Sequence, residues 1–86
     1  MNSKVERNES MIIASMIEKI MAAAHLPGKC RIEVKGKIVS AHFVFASGVR
    51  SPIKVGTKLS RERTPEKFAR KAAVSFLRSV PPGAAE

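Results

Sequence analysis

The chain has 86 residues, 44% of them apolar, and a formal charge of +9 from sixteen basic and seven acidic side chains. That length holds one small domain whose core lies near the lower limit for independent stability, and the apolar share argues against disorder along most of the chain. A single cysteine, Cys30, excludes an internal disulfide and fits a reducing compartment.

Residues 1–8 are polar and expected to form a flexible N-terminal segment. Ser3-Lys4-Val5-Glu6 fits a capping box, but the firm helix is expected from Glu9 to His25. Ile13, Met16, Ile17, Ile20, Met21 and Ala24 form its apolar stripe, widened by Met11 and Ile12. Leu26-Pro27-Gly28 ends it, and His25 sits where a helix end favours positive charge. The run Met11–Ile17 is too short and too closely flanked by charge to cross a bilayer, so no membrane contact and a cytoplasmic address are expected.

After Lys29 the apolar period changes to two. Cys30, Ile32 and Val34 alternate with Arg31, Glu33 and Lys35, which predicts a half-buried strand. Gly36-Lys37 is the turn. Ile38 to Ala46 is the second strand, with Val39, Ala41, Phe43 and Phe45 inward and Ser40 and His42 outward. Residues 47–52 read as a loop. Ile53, Val55, Thr57 and Leu59 predict a third strand, and Ser60 to Arg63 a basic connection.

Thr64 then caps a second helix, with Pro65 at its first position and Glu66 in its first turn. Phe68, Ala69, Ala72, Ala73, Phe76, Leu77 and Val80 form the apolar stripe, while Lys67, Arg70, Lys71 and Arg78 lie opposite. Pro81-Pro82 ends the helix and residues 81–86 form a tail. The expected fold class is α+β, in the order helix, three-stranded antiparallel sheet, helix. Both helices cover one sheet face, in a single domain over residues 9–80.

Charge is concentrated late in the chain. Residues 1–28 carry three basic and three acidic side chains, whereas residues 29–78 carry thirteen and three. Such a concentration is the electrostatic footprint of a polyanion binder, nucleic acid first.

The segment Lys67-Phe68-Ala69-Arg70-Lys71-Ala72-Ala73, followed by Phe76-Leu77, resembles the last helix of the double-stranded RNA-binding domain family, which reads Lys-Lys-x-Ala-Lys, then paired alanines and a leucine. Lys67 and Arg70 match the second and third basic positions. Ala69, Ala73 and Leu77 match packing positions. The resemblance implies that these cations reach phosphates across a groove, and that polar groups of the first helix, with Ser15, Glu18 and Lys19 nearest, touch the minor groove. Two departures stand out: Glu66 replaces the first lysine, and Lys35-Gly36-Lys37 replaces the family's Gly-Pro-x-His loop.

The expected function is therefore non-catalytic binding to duplex nucleic acid, RNA before DNA, through Lys67, Arg70 and Lys71. Arg61, Arg63, Lys35 and Lys37 are expected to add charge, with Arg50, Lys54 and Lys58 extending the surface. A second nucleic-acid reading uses the outer sheet face, where Arg31, Glu33, Ser40, His42, Lys54 and Lys58 would meet a DNA major groove. Neither Trp nor Tyr is present and all four phenylalanines fall on core positions, which argues against a stacking platform for single strands. The chain has no aspartate, and its two histidines and one cysteine lack metal-site spacing, so no enzyme activity, cofactor or metal is expected. The alternative is a small interaction or dimerisation domain, a regulator or inhibitor, that uses the methionine-rich first helix.

Overall fold

A computed structural model describes residues 2–58 and 65–84, with side chains from Ser10 onward. The order is α1 (Asn2–Ala23), β1 (Gly28–Lys35), β2 (Ile38–Phe45), β3 (Val55–Lys58) and α2 (Pro65–Arg78). This is the expected α+β arrangement. The expected Thr64 cap, Leu59 and the basic residues Arg61 and Arg63 lie outside the described residues.

The first helix begins at Asn2, well before Glu9. Neither glycine nor proline occurs between Asn2 and Ala23, so nothing interrupts the backbone ladder. Ile13, Ile17 and Met21 are buried, and Met16 and Ile20 pack against the core. Met11 and Ile12, expected to widen the buried stripe, are 66% and 47% exposed. Ala24 is exposed too, because it follows the last helical residue.

The end of α1 is a Schellman motif. The Leu26 N–H donates to the Met21 carbonyl at 2.9 Å and the His25 N–H to the Ala22 carbonyl at 3.0 Å. His25 takes the left-handed position, φ 65°, that glycine ordinarily fills. Its role is thus set by backbone geometry more than by charge at the helix end. His25 is exposed and contributes no core packing. Replacing it with glycine is expected to stabilise the fold by about 1 kcal/mol, by relieving left-handed backbone strain. The melting temperature should rise by about 4–8 °C; a fall would mean that the imidazole makes a contact of its own.

The three strands form one antiparallel sheet in the order β1-β2-β3. The β1–β2 register runs from Gly28↔Phe45 to Lys35↔Ile38 and closes on the two-residue turn Gly36-Lys37. Gly36 has φ 60° and Lys37 does not share a positive φ, the pattern of a type II′ hairpin. At the other end of β1, a side chain on Gly28 would run into the Val44 carbonyl oxygen and come within 2.7 Å of the Phe43 ring. Gly28 is therefore a close-approach position.

The third strand is shorter than the alternation from Ile53 to Leu59 predicts. Pro52 has no N–H for the ladder, and the Ile53 N–H turns back to the Ser51 hydroxyl at 3.3 Å. Regular pairing begins only at Ala41↔Val55 and runs to Ile38↔Lys58. The far half of β2 is paired instead by the preceding loop: the Phe45 N–H donates to the Val49 carbonyl and the Ser51 N–H to the Phe43 carbonyl, both at 2.8 Å.

Val39, Ala41, Phe43 and Phe45 of β2 face the helices and are fully or almost fully buried. Phe43 meets Phe45 edge-on, with ring centroids 5.0 Å apart, and Phe76 of α2 at 5.8 Å. Phe68, Ala69, Ala72, Ala73 and Phe76 bury the inward side of α2. Val80, assigned to that stripe by its spacing, follows the helix end and is 39% exposed. The tail turns back on the sheet: Ala84 is buried and its carbonyl accepts a hydrogen bond from the Ser47 hydroxyl at 3.3 Å.

These contacts fix directions. The end of α1 feeds β1 at the Gly28↔Phe45 end, so α1 runs toward that end. Phe76 of α2 meets Phe43, and the segment after α2 meets Ser47, so α2 also finishes there. The two helices are parallel neighbours, and both begin toward the Gly36-Lys37 turn. Among the described residues no helix is long and apolar enough to cross a membrane.

Candidate nucleic-acid interface

With the apolar stripe of α2 turned inward, its outward positions are fixed by helical period. Lys67, Arg70 and Lys71 are exposed in its first two turns, followed on the same side by Val74 and Arg78. The one ion pair among the described residues joins Arg70 to Glu66 at 3.9 Å, with side chains 73% and 63% exposed. A pair so exposed contributes about 0.3–0.5 kcal/mol at most and leaves Arg70 free to exchange partners. Glu66 therefore dilutes local positive charge without locking it away.

Lys35 and Lys37 flank the Gly36 turn and are exposed, and Lys58 ends β3 opposite Ile38. These lysines lie at the same end of the sheet as the start of α2. The fold thus places two of the expected clusters, Lys67–Lys71 and Lys35–Lys37, at one end of the domain, with Lys35 on the sheet face turned away from α2.

On α1, Ser15 and Lys19 are exposed. Glu18 is occupied within the fold, where its Oε2 accepts a hydrogen bond from the Cys30 N–H at 2.8 Å. Cys30 belongs to β1, the edge of the sheet, and this N–H points away from β2, so a carboxylate from the helix satisfies a donor that the ladder leaves open. The contact spans twelve residues, and neither helical nor strand periodicity signals it.

Burial, and then the negative charge of Glu18, push the Cys30 thiol from its ordinary value of 9.0 up to about 12. The thiol is therefore protonated and unreactive at neutral pH. Alkylation at pH 8 should be at least about tenfold slower in the folded protein than in denaturant; equal rates would overturn the burial of this group. The shift has a definite sign in stability. Above pH 9 the unfolded chain loses this proton while the folded chain keeps it, so stability declines as pH rises from about 9 toward 12. Cys30→Ala should remove that part of the decline.

The second basic surface is the sheet face that the helices leave uncovered. Arg31 lies directly across from His42, and Arg50 pairs with Val44 through an isolated bridge. With Ile32, Glu33 and Lys54 they line a hollow of about 490 Å³. A neighbouring hollow of about 330 Å³ shares Arg31, His42 and Arg50 and is completed by Val44 and Gly48. The strand alternation places Arg31 and His42 on this face. Arg50 sits in a segment read as loop, and no periodicity points to its direction.

No protein-family model, curated protein or solved structure matches this chain.

Proposed function

We infer that the chain is a non-catalytic module that binds the backbone of duplex nucleic acid, RNA in preference to DNA, through the start of α2. The observation that carries this reading is the co-facial, exposed set Lys67, Arg70 and Lys71, on a helix that starts at the same end as Lys35 and Lys37. Affinity would come from phosphate neutralisation with release of counterions, and such contacts position a backbone without reading sequence. The first-turn amides and the helix dipole of α2 add a favourable field for phosphate. A preference for RNA would rest on duplex shape and 2′-hydroxyl contacts.

The resemblance to the double-stranded RNA-binding domain supports this reading and also limits it. The connection between the first two strands is a two-residue turn, too short to reach far into a groove. Glu18 is committed to Cys30. What remains is contact with phosphates and the 2′-hydroxyls beside them, so the module should bind duplexes of any sequence. A single cysteine, with no partner within the sequence for a disulfide, suits a reducing, cytoplasmic setting.

The test is a binding titration with matched double-stranded RNA, double-stranded DNA and single-stranded RNA at two salt concentrations. Preference for double-stranded RNA that weakens steeply with salt supports the reading. Equal binding to all three reduces it to general basicity, and no binding to any removes it.

One observation favours a second reading as a dimerisation or protein-interaction domain: Met11 and Ile12 stand side by side and exposed on α1. Sedimentation of the wild type and of Met11→Lys/Ile12→Lys separates the two. A concentration-dependent dimer that the double variant dissolves supports this reading, and a wild-type monomer at high concentration excludes the dimer.

A further inference from the structure

The hollow on the uncovered sheet face has the features of a prepared anion site. Arg31, Arg50 and Lys54 meet there with His42, and Glu33 is the one carboxylate in its lining. Glu33 lies within ion-pair distance of none of them, since the one pair among the described residues is Arg70–Glu66. Three cations against a single carboxylate give this lining a net positive charge, which favours a bound anion.

The cations also rest on a held frame. Arg50 projects from a loop tied to β2 on both sides, through the Val49 carbonyl and the Ser51 N–H, each bond 2.8 Å long. Ser51 is buried, and its hydroxyl donates to the Ile53 carbonyl at 3.2 Å while it accepts from the Ile53 N–H. The His42 ring Nε2 lies 3.2 Å from the Ser51 carbonyl oxygen. Little ordering of this segment would be left for a ligand to impose. By strand alternation Lys35 and Lys58 continue the same face, so its positive charge runs past the hollow.

This face and the cationic side of α2 point in opposite directions. The inward stripe of α2 packs on the helix-covered side of the sheet, so Lys67 and Lys71 look away from it, while Arg31 and Lys54 look away from the other side. The body between them is 18–19 Å thick in its short dimensions. Duplex DNA is stiff over about 50 nm and does not fold around so small a body at accessible cost. One duplex therefore reaches one surface.

We propose that the uncovered sheet face binds the phosphate backbone of a second duplex, so that a single copy of the domain bridges two duplexes. The proposal rests on the duplex-binding reading above, and charge complementarity over an uncovered, pre-set surface selects the occupant.

The test uses the full chain with two matched RNA duplexes, one immobilised on beads and the other fluorescent in solution, and a parallel arm with DNA duplexes. Solution anisotropy reads single-duplex binding, and bead fluorescence reads capture of the second duplex. The wild type should do both. The Arg31→Glu/Arg50→Glu/Lys54→Glu variant should keep single-duplex binding within a few-fold and lose capture by about tenfold or more, as expected when three phosphate contacts are removed. The corresponding glutamine variant guards against misfolding caused by added negative charge, and should show the same loss in weaker form. Capture that persists in both variants overturns the proposal and assigns bridging to protein dimers. Single-duplex binding by the wild type without capture also overturns it, while leaving the reading of α2 intact. Absence of any duplex binding removes both.

Discussion

Charge reversal at Lys67, Arg70 and Lys71 is expected to reduce duplex affinity at low salt by about two orders of magnitude or more, and to make the log–log salt dependence shallower by about two to three units. Each substitution removes one candidate phosphate contact and places a carboxylate against the same backbone. The fold should tolerate the change. All three side chains are exposed, the one ion pair involved is a surface pair at 3.9 Å, and acidic groups suit the first turns of a helix. Fluorescence anisotropy across a salt series reads the first effect, and a thermal melt of the same variant guards against unfolding. A variant that melts normally and binds duplexes as tightly as the wild type would remove the start of α2 from the interface.

The largest effect on stability is expected from Phe43→Ala. Phe43 is completely buried at the junction of β2, α2 and the tightly approached Gly28, and its ring meets those of Phe45 and Phe76. Truncating such a ring costs about 3–5 kcal/mol, through lost transfer energy and the cavity left behind. A small domain holds about 5–15 kcal/mol in total, and one of this length lies toward the lower end, so the variant should be largely unfolded at 37 °C or close to it. Urea denaturation at 10–25 °C measures the loss. A cycle with Phe76→Ala should give a coupling of about 0.5–1.5 kcal/mol, because the two rings touch. A loss below 1 kcal/mol for Phe43→Ala would contradict its place at the centre of the core.

Much of this fold was legible in the chain. Phe43, Phe45 and Val39 share a parity that only a half-buried strand satisfies, and Phe68, Ala72 and Phe76 share a stripe that only a helix satisfies. Gly36-Lys37 between two alternating runs announces the hairpin. Periodicity and burial part where a local pattern extends beyond the surface available to cover it. Met11 and Ile12 continue the α1 stripe, and Val80 continues that of α2, yet each is exposed. Ile53 keeps strand alternation, but Pro52 and the Ser51 turn withhold it from the ladder.

The candidate sites divide in the same way. Lys67, Arg70 and Lys71 could be assigned to one exposed face because a single helix carries them. The hollow needs the β1–β2 register to bring Arg31 to His42, and a loop bridge to bring Arg50 to Val44, and both are long-range facts. Glu18 illustrates the reverse case. The family resemblance implied a minor-groove contact for it, whereas the open N–H of an edge strand claims it.

The parallel course of the two helices has a kinetic consequence. Each helix carries the equivalent of about half a positive charge at its start and half a negative charge at its end. Since α1 and α2 begin toward the same end, their dipoles add where antiparallel neighbours would cancel, and Lys35, Lys37 and Lys67 reinforce the positive pole. In the field of any polyanion the molecule experiences a torque before it experiences contact. It should arrive with its helix starts leading, which raises the productive fraction of encounters at low ionic strength and loses that advantage once the screening length, about 8 Å at physiological salt, falls below the size of the domain.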